Sequence, residues 1–177
     1  METSRDAYVD PIDEARDHWT DSGWDSTALA MANITAIMRV QQILLARINT
    51  VLRPHGLTHA RLEVLMVLRA GPDDGLSLGK LGGRLQVYPG AVTSAVDRLE
   101  ADGMVRRVRH PTDGRGTLAV ITPRGQRIAL QAIDDLIALV LEPFTPDGPA
   151  GEQLFELLRG IRASAGDLDL PDAEPAA

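Results

Sequence analysis

The residues best equipped for chemistry are arginines. Eight fall between positions 84 and 127 against four acids, a local charge of +4 in a chain whose formal net charge is −7. Clustered guanidinium groups suit phosphate oxygens and base edges. Exposed charges more than about 10 Å apart are screened at moderate salt, so the remaining sequence, at −11, does not stop such a surface from engaging a polyanion.

Several other constellations are weaker than they first look. GLSLGK at 75–80 resembles a phosphate-binding loop, but it has three residues between its glycines, and Leu81 stands where Ser or Thr is needed. His55 and His59 share an i, i+4 spacing, yet Pro54 and Gly56 break the helix beside them and no acidic partner is expected at a matching spacing. There is no cysteine, which excludes disulfides, thiolate metal sites and thiol redox sensing. No Ser/His/Asp order or paired-carboxylate setting stands out, so neither an enzyme nor a metal or cofactor site is expected.

The arginines are positioned by residues 89 to 122, PGAVTSAVDRLEADGMVRRVRHPTDGRGTLAVIT. Pro89 suits the first position of a helix, and Val92, Val96 and Leu99 recur at helical spacing to face a core. Gly90, Thr93, Ser94, Asp97 and Ala101 lie opposite, with Arg98 at the edge: a small, hydrogen-bonding face that a nucleic-acid groove accepts. Asp102-Gly103 ends the helix. Met104 to Arg109 and Thr117 to Ile121 read as strands, the first carrying Arg106, Arg107 and Arg109. Residues 110–116, with Asp113 and Arg115, form the hairpin loop between them. Upstream, Ser77 caps a short helix through Leu78, Leu81 and Leu85, and Gln86-Val87-Tyr88 turns into the next. Tyr88 takes a capping position that normally prefers Ser, Thr, Asp or Asn, leaving its ring for a DNA backbone or a ligand.

With PGAVTSAVDRLEADGMVRR, the Asp113-Gly114-Arg115 hairpin motif and ITPRG at 121–125 in view, the chain resembles the multiple antibiotic resistance regulator (MarR) family, more weakly over about 31–161. The resemblance implies a mainly α fold with a small β-hairpin wing, a winged helix-turn-helix with N- and C-terminal dimerisation helices. It further implies an obligate homodimer on double-stranded, pseudo-palindromic operator DNA. Recognition helices would enter consecutive major grooves, with Thr93, Ser94 and Arg98 at recognition positions. Arg115 would enter the minor groove, and Asp113 would orient it or the wing backbone. The family places a small-molecule pocket between dimerisation helices and DNA-binding lobe, where Arg39, Arg47, His55, His59 and Arg61 are expected to lie, for an anionic or aromatic effector. The resulting expectation is a ligand-released repressor. The competing reading is a winged module for protein association without a specific DNA target.

The organisation follows. Residues 1–25 form an extension with a short helix whose Ile12, Ala15, Arg16 and Trp19 share a face. Residues 26–165 form the winged domain, its DNA-binding lobe at about 57–122, and 166–177 are expected as an acidic disordered tail. A long helix spans 26–53, with Met31, Ile34, Met38, Gln41, Leu45, Ile48 and Leu52 on one stripe. Thr58 caps a helix carrying Leu62, Leu65, Met66 and Leu68. Pro123 opens another, ended by Pro143, and 151–165 form the last, with Leu154, Phe155, Leu158 and Ile161. These stripes exceed what one small lobe can bury. No charged-then-apolar leader and no apolar run near the ~20 residues of a membrane span are apparent, so a cytoplasmic protein without membrane contact is expected.

Overall fold

The computed structural model describes residues 9–110, 116–144 and 146–167. Two compact units divide at residue 137. In the first, α1 (Pro11–Asp21) is followed by the 28-residue α2 (Asp25–Leu52) and a single 3-10 turn at Arg53–His55. Asp10 accepts the Ile12 N–H at 2.9 Å and starts α1. This helix folds back on α2, with Ile12, Ala15, Arg16 and Trp19 half-buried on one side.

The lobe that follows comprises α3 (His59–Arg69), β1 (Leu76–Ser77), α4 (Leu78–Leu85), α5 (Pro89–Ala101), β2 (Val105–Arg109), β3 (Thr117–Ile121) and α6 (Pro123–Leu136). Thr58 and Ser77 cap α3 and α4 as their positions predict, accepting the N–H groups of Arg61 and Lys80. The sheet is antiparallel in the order β1-β3-β2, with Val105 opposite Ile121 and Leu76 opposite Ala119. Leu62, Leu65, Leu81, Val92, Val96 and Leu99 are buried together with Leu118 and Val120 of β3. The three stretches of helical spacing and one face of the sheet thus form a common core.

The turn after α5 fixes how the sheet meets α6. Gly103 has φ +70°, and Met104 N–H reaches back to Leu99 O at 2.8 Å while Gly103 N–H bonds Glu100 O, the paired closure that a left-handed residue permits. Thr122 then donates its hydroxyl to Gly103 O at 2.8 Å and accepts the Gly125 N–H at 3.0 Å. A Cβ at Gly125 would lie 2.1 Å from Met104 O. The ITPRG segment is therefore a joint: its Thr caps α6, its Pro starts it, and its Gly lets it touch the preceding turn.

The second unit contains a π-helical turn at Ile137–Leu141, a short α7 (Glu142–Phe144) and α8 (Gly148–Ser164). Two expectations need correcting here. Pro143 does not end the helical path, since α7 includes it; having no N–H for the carbonyl four residues back, it follows a widened turn instead. The last helix starts at Gly148 rather than at 151. Gly166 and Asp167 are tied back to α8, the Asp167 carboxylate lying 2.6 Å from Arg162 Nε; the remainder of the proposed tail lies outside the described residues. Leu154, Phe155, Leu157, Leu158 and Ile161 of α8 are exposed.

A third correction concerns α2. Residues Asp25–His55 are long and apolar enough to cross a membrane by length and composition, contrary to the sequence expectation. Only Ala28, Ala32 and Leu52 of α2 are buried, and Ile34, Ile37, Met38 and Leu45 are exposed. Such a helix meets the same test when its apolar stripe packs on protein.

Candidate nucleic-acid interface

The exposed side of α5 carries Thr93, Ser94, Asp97 and Arg98, with Gly90 half-exposed at its start. Thr93 Oγ donates to Pro89 O at 3.1 Å. Tyr88 holds the N-cap position with no side-chain hydrogen bond to the helix and is 74% exposed. Its phenol oxygen lies where a side chain at position 90 would be, 2.0 Å from an added Cβ. Only glycine lets the ring fold over the first turn of α5. The preceding Gln86 adopts φ +52°, the sharp corner that sets α5 against α4, and nothing in its residue type announces this.

Beside α5 runs an open depression of about 560 Å³ between Thr58 and Arg61 of α3 and Ser94 and Arg98 of α5, with Asp102 at its end. Arg98, Arg106, Arg109 and Arg84 are exposed and have no ion-pair partner among the described residues. Lys80, one turn before Arg84 on α4, is likewise exposed and unpaired among them. These two were missed as site residues; their i, i+4 spacing before the recognition helix was the available signal.

Arg107, one of the three strand arginines from which at least one phosphate contact is expected, is placed differently from its neighbours. Its guanidinium lies 2.6 Å from Asp97 and also pairs with Glu100, while its backbone N–H donates to Glu100 at 3.0 Å. Burial works against the charged guanidinium, but hydrogen bonds and the negative charge from Asp97 and Glu100 outweigh it and hold the pKa above the ordinary arginine value. Arg107 joins β2 to α5. Asp113 and Arg115 lie outside the described residues.

Of the residues expected near a ligand pocket, His55, His59 and Arg61 each pair with a different carboxylate, and Arg39 lies elsewhere, on α2. His55 Nε2 lies 2.7 Å from Asp135 of α6, His59 Nδ1 3.2 Å from Glu63, and Arg61 3.5 Å from Asp102. The i, i+4 carboxylate of Glu63 is the acidic partner that the sequence reading denied to His59. No group of three or more metal-ligating side chains occurs among the described residues. Arg39 lies 13 residues before the end of α2, about 20 Å along the helix at 1.5 Å per residue. It lines a separate hollow against α1.

A recognition helix packed on its partner helix, an adjoining three-stranded sheet and a free basic surface define a winged helix-turn-helix DNA-binding protein. Residues 55–116 match the MarR family model. The chain is 40% identical to Sco5413, a MarR family transcriptional regulator from Streptomyces coelicolor, and superimposes with a TM-score of 0.70 over 80% of this chain and 98% of that one. It is also similar to MarR from E. coli, solved as a mutant complexed with operator DNA: 28% identity, TM-score 0.66, 72% of this chain and 91% of that one. Among curated relatives, it is 31% identical over 135 residues to the HTH-type transcriptional regulator TtmR of Methylorubrum extorquens, a match covering 71% of this chain and 65% of that regulator's length. The chain belongs to the MarR family of transcriptional regulators.

Proposed function

We propose that this protein is a homodimeric, sequence-specific DNA-binding repressor that a small anionic or aromatic molecule releases from its operator. The observation that carries the DNA reading is the exposed α5 face, Thr93, Ser94 and Arg98, flanked by the exposed Arg106 and Arg109 of β2. Hydroxyls and a guanidinium on one helix face suit base edges in a major groove, while strand arginines suit the adjoining phosphates. The operator complex of the E. coli relative supports the same use of this fold. Arg115, between β2 and β3 in the sequence, is assigned to the minor groove, where a narrow groove's negative potential favours a guanidinium, and Asp113 to holding the wing.

Dimerisation is supported by α2, whose exposed Ile34, Ile37, Met38 and Leu45 share one side of the helix, the kind of apolar patch that marks a protein contact. The apolar side chains of α8 support a second contact. Two-fold symmetry then places the half-sites about one helical turn apart. Such a protein works in the cytoplasm.

The test is fluorescence anisotropy with the duplex flanking its own gene and a shuffled duplex, over a range of salt. Specific binding whose affinity falls linearly on a log–log salt plot is expected. Equal binding to both duplexes removes the sequence-specific reading, and no binding at any salt favours a protein-association module. Effector release is read by adding phenolic and carboxylic metabolites to the formed complex. Compounds that bind the protein without changing its DNA affinity leave a constitutive repressor.

A further inference from the structure

Between the start of α1 and the middle of α2 lies a hollow of about 480 Å³, within the usual range for small-molecule sites of roughly 300–1,000 Å³. Pro11 and Ile12 form one wall; Ala36, Val40 and Ile43 form the other, and Arg39 is the one cation among its lining residues. The hollow exists because the helical hairpin closes tightly only near its turn. There the small Ala28 and Ala32 are buried, while at the far end α1 stops and α2 continues.

The two ionisable groups in the hollow are not equivalent. Asp10 is already the cap of α1, accepting the Ile12 N–H at 2.9 Å. Thr35 is similarly engaged, its hydroxyl donating to Met31 O at 2.8 Å. Arg39 has no carboxylate within ion-pair distance among the described residues. Nor does the apolar stripe assigned to the dimer cover this site. At 3.6 residues per turn, the midline of Thr35, Ala36, Arg39, Val40 and Ile43 lies roughly 170° around α2 from that of Ile34, Ile37, Met38 and Leu45, so a partner on one stripe leaves the other open.

We infer that this hollow is a binding site for a small apolar carboxylate, an aromatic or short aliphatic acid, whose body sits between Ile12 and Val40–Ile43 and whose carboxylate takes the Arg39 guanidinium. A guanidinium offers a carboxylate two parallel donors, and the apolar walls select against a fully hydrated anion such as acetate. The site stands apart from the DNA-binding surface and from the residues between α2, α3 and α6. It does not depend on the DNA reading.

The experiment is isothermal titration calorimetry of the full chain with benzoate and hexanoate, alongside benzamide, benzylamine and acetate. Saturable binding of the two acids is expected, with the amide, amine and acetate far weaker. Arg39→Gln should lower acid affinity roughly ten- to a hundredfold, the range for a lost charged hydrogen bond, and Arg39→Lys should retain part of it. Ala36→Phe should block the hollow with the charge intact. Both tryptophans of the chain, Trp19 and Trp24, belong to the hairpin, so unchanged tryptophan emission in a variant shows that α1 remains docked. The proposal is overturned if neither acid binds, if benzamide or benzylamine binds as well as benzoate, or if Arg39→Gln with native emission binds benzoate like wild type. A second copy occupying the hollow gives the first of these results.

Discussion

Arg107 of β2 and Asp97 of α5 are held 2.6 Å apart, a contact that fixes the wing's edge strand against the recognition helix. Glu100, one turn further along α5, takes the rest of the guanidinium. The pair is partly exposed, so its value lies nearer surface than buried ion pairs. What it sets is the spacing between a helix meant for one groove and a hairpin meant for the next.

Arg107→Met should therefore weaken operator binding without changing the salt slope, because no phosphate contact is lost. Thermal denaturation should show a loss of about 1–2 kcal/mol. Arg106→Ala or Arg109→Ala should instead lower the slope by about 1 for each phosphate contact removed. A reduced slope in Arg107→Met would return this residue to the DNA surface.

Arg115→Ala is expected to cost about 1–3 kcal/mol of operator affinity while leaving the melting temperature and oligomeric state unchanged. Asp113→Ala should give a fraction of that loss by freeing the wing. Titrations at one fixed salt concentration decide this, and wild-type affinity in Arg115→Ala would take the wing out of the mechanism.

Gly125→Ala tests the joint between the recognition-helix turn and α6. A Cβ there would press on Met104 O at 2.1 Å, a backbone atom that cannot swing aside as a side-chain end can, so a destabilisation of about 2 kcal/mol or more is expected. Urea unfolding that leaves the midpoint unchanged would show that α6 can back away freely.

Much of this architecture was legible because its punctuation is local. Thr58 and Ser77 cap the helices they precede, Pro89 starts α5, Gly103 ends it, and β-branched or apolar runs on either side of the turn residues 110–116 mark the hairpin. What escaped was non-local or too short to have a period. Two-residue β1 exists only through its pairing with β3, and the left-handed Gln86 is imposed by packing rather than residue type. Arg107, Arg106 and Arg109 look alike in sequence; only the fold turns one towards Asp97 and leaves the others without an ion-pair partner among the described residues. His55 belongs with these, since its partner, Asp135, is 80 residues away; Glu63, the partner of His59, stands only four residues on and was open to the sequence.

Met38→Glu should leave the fold of each chain intact, since Met38 is 59% exposed, while breaking the proposed dimer by burying an unpaired carboxylate at its seam. Sedimentation should show a wild-type dimer at micromolar concentration and a monomeric variant with an unchanged far-ultraviolet spectrum. A wild-type monomer would overturn the dimer.

The strand order β1-β3-β2 has a further consequence for how the protein behaves at high concentration. The five-residue β2 is an edge strand; Glu100 takes its Arg107 N–H, and the rest of that edge is where another extended chain would pair. Its sequence, Val105-Arg-Arg-Val-Arg109, sets like charges along that edge, a device that keeps one sheet from adding itself to the next. Stripping Arg106 and Arg109 together would thus do more than weaken contact with phosphate: it would remove the repulsion that keeps neighbouring wings from zipping into an aggregate. Solubility, as well as operator affinity, is expected to fall in that double variant.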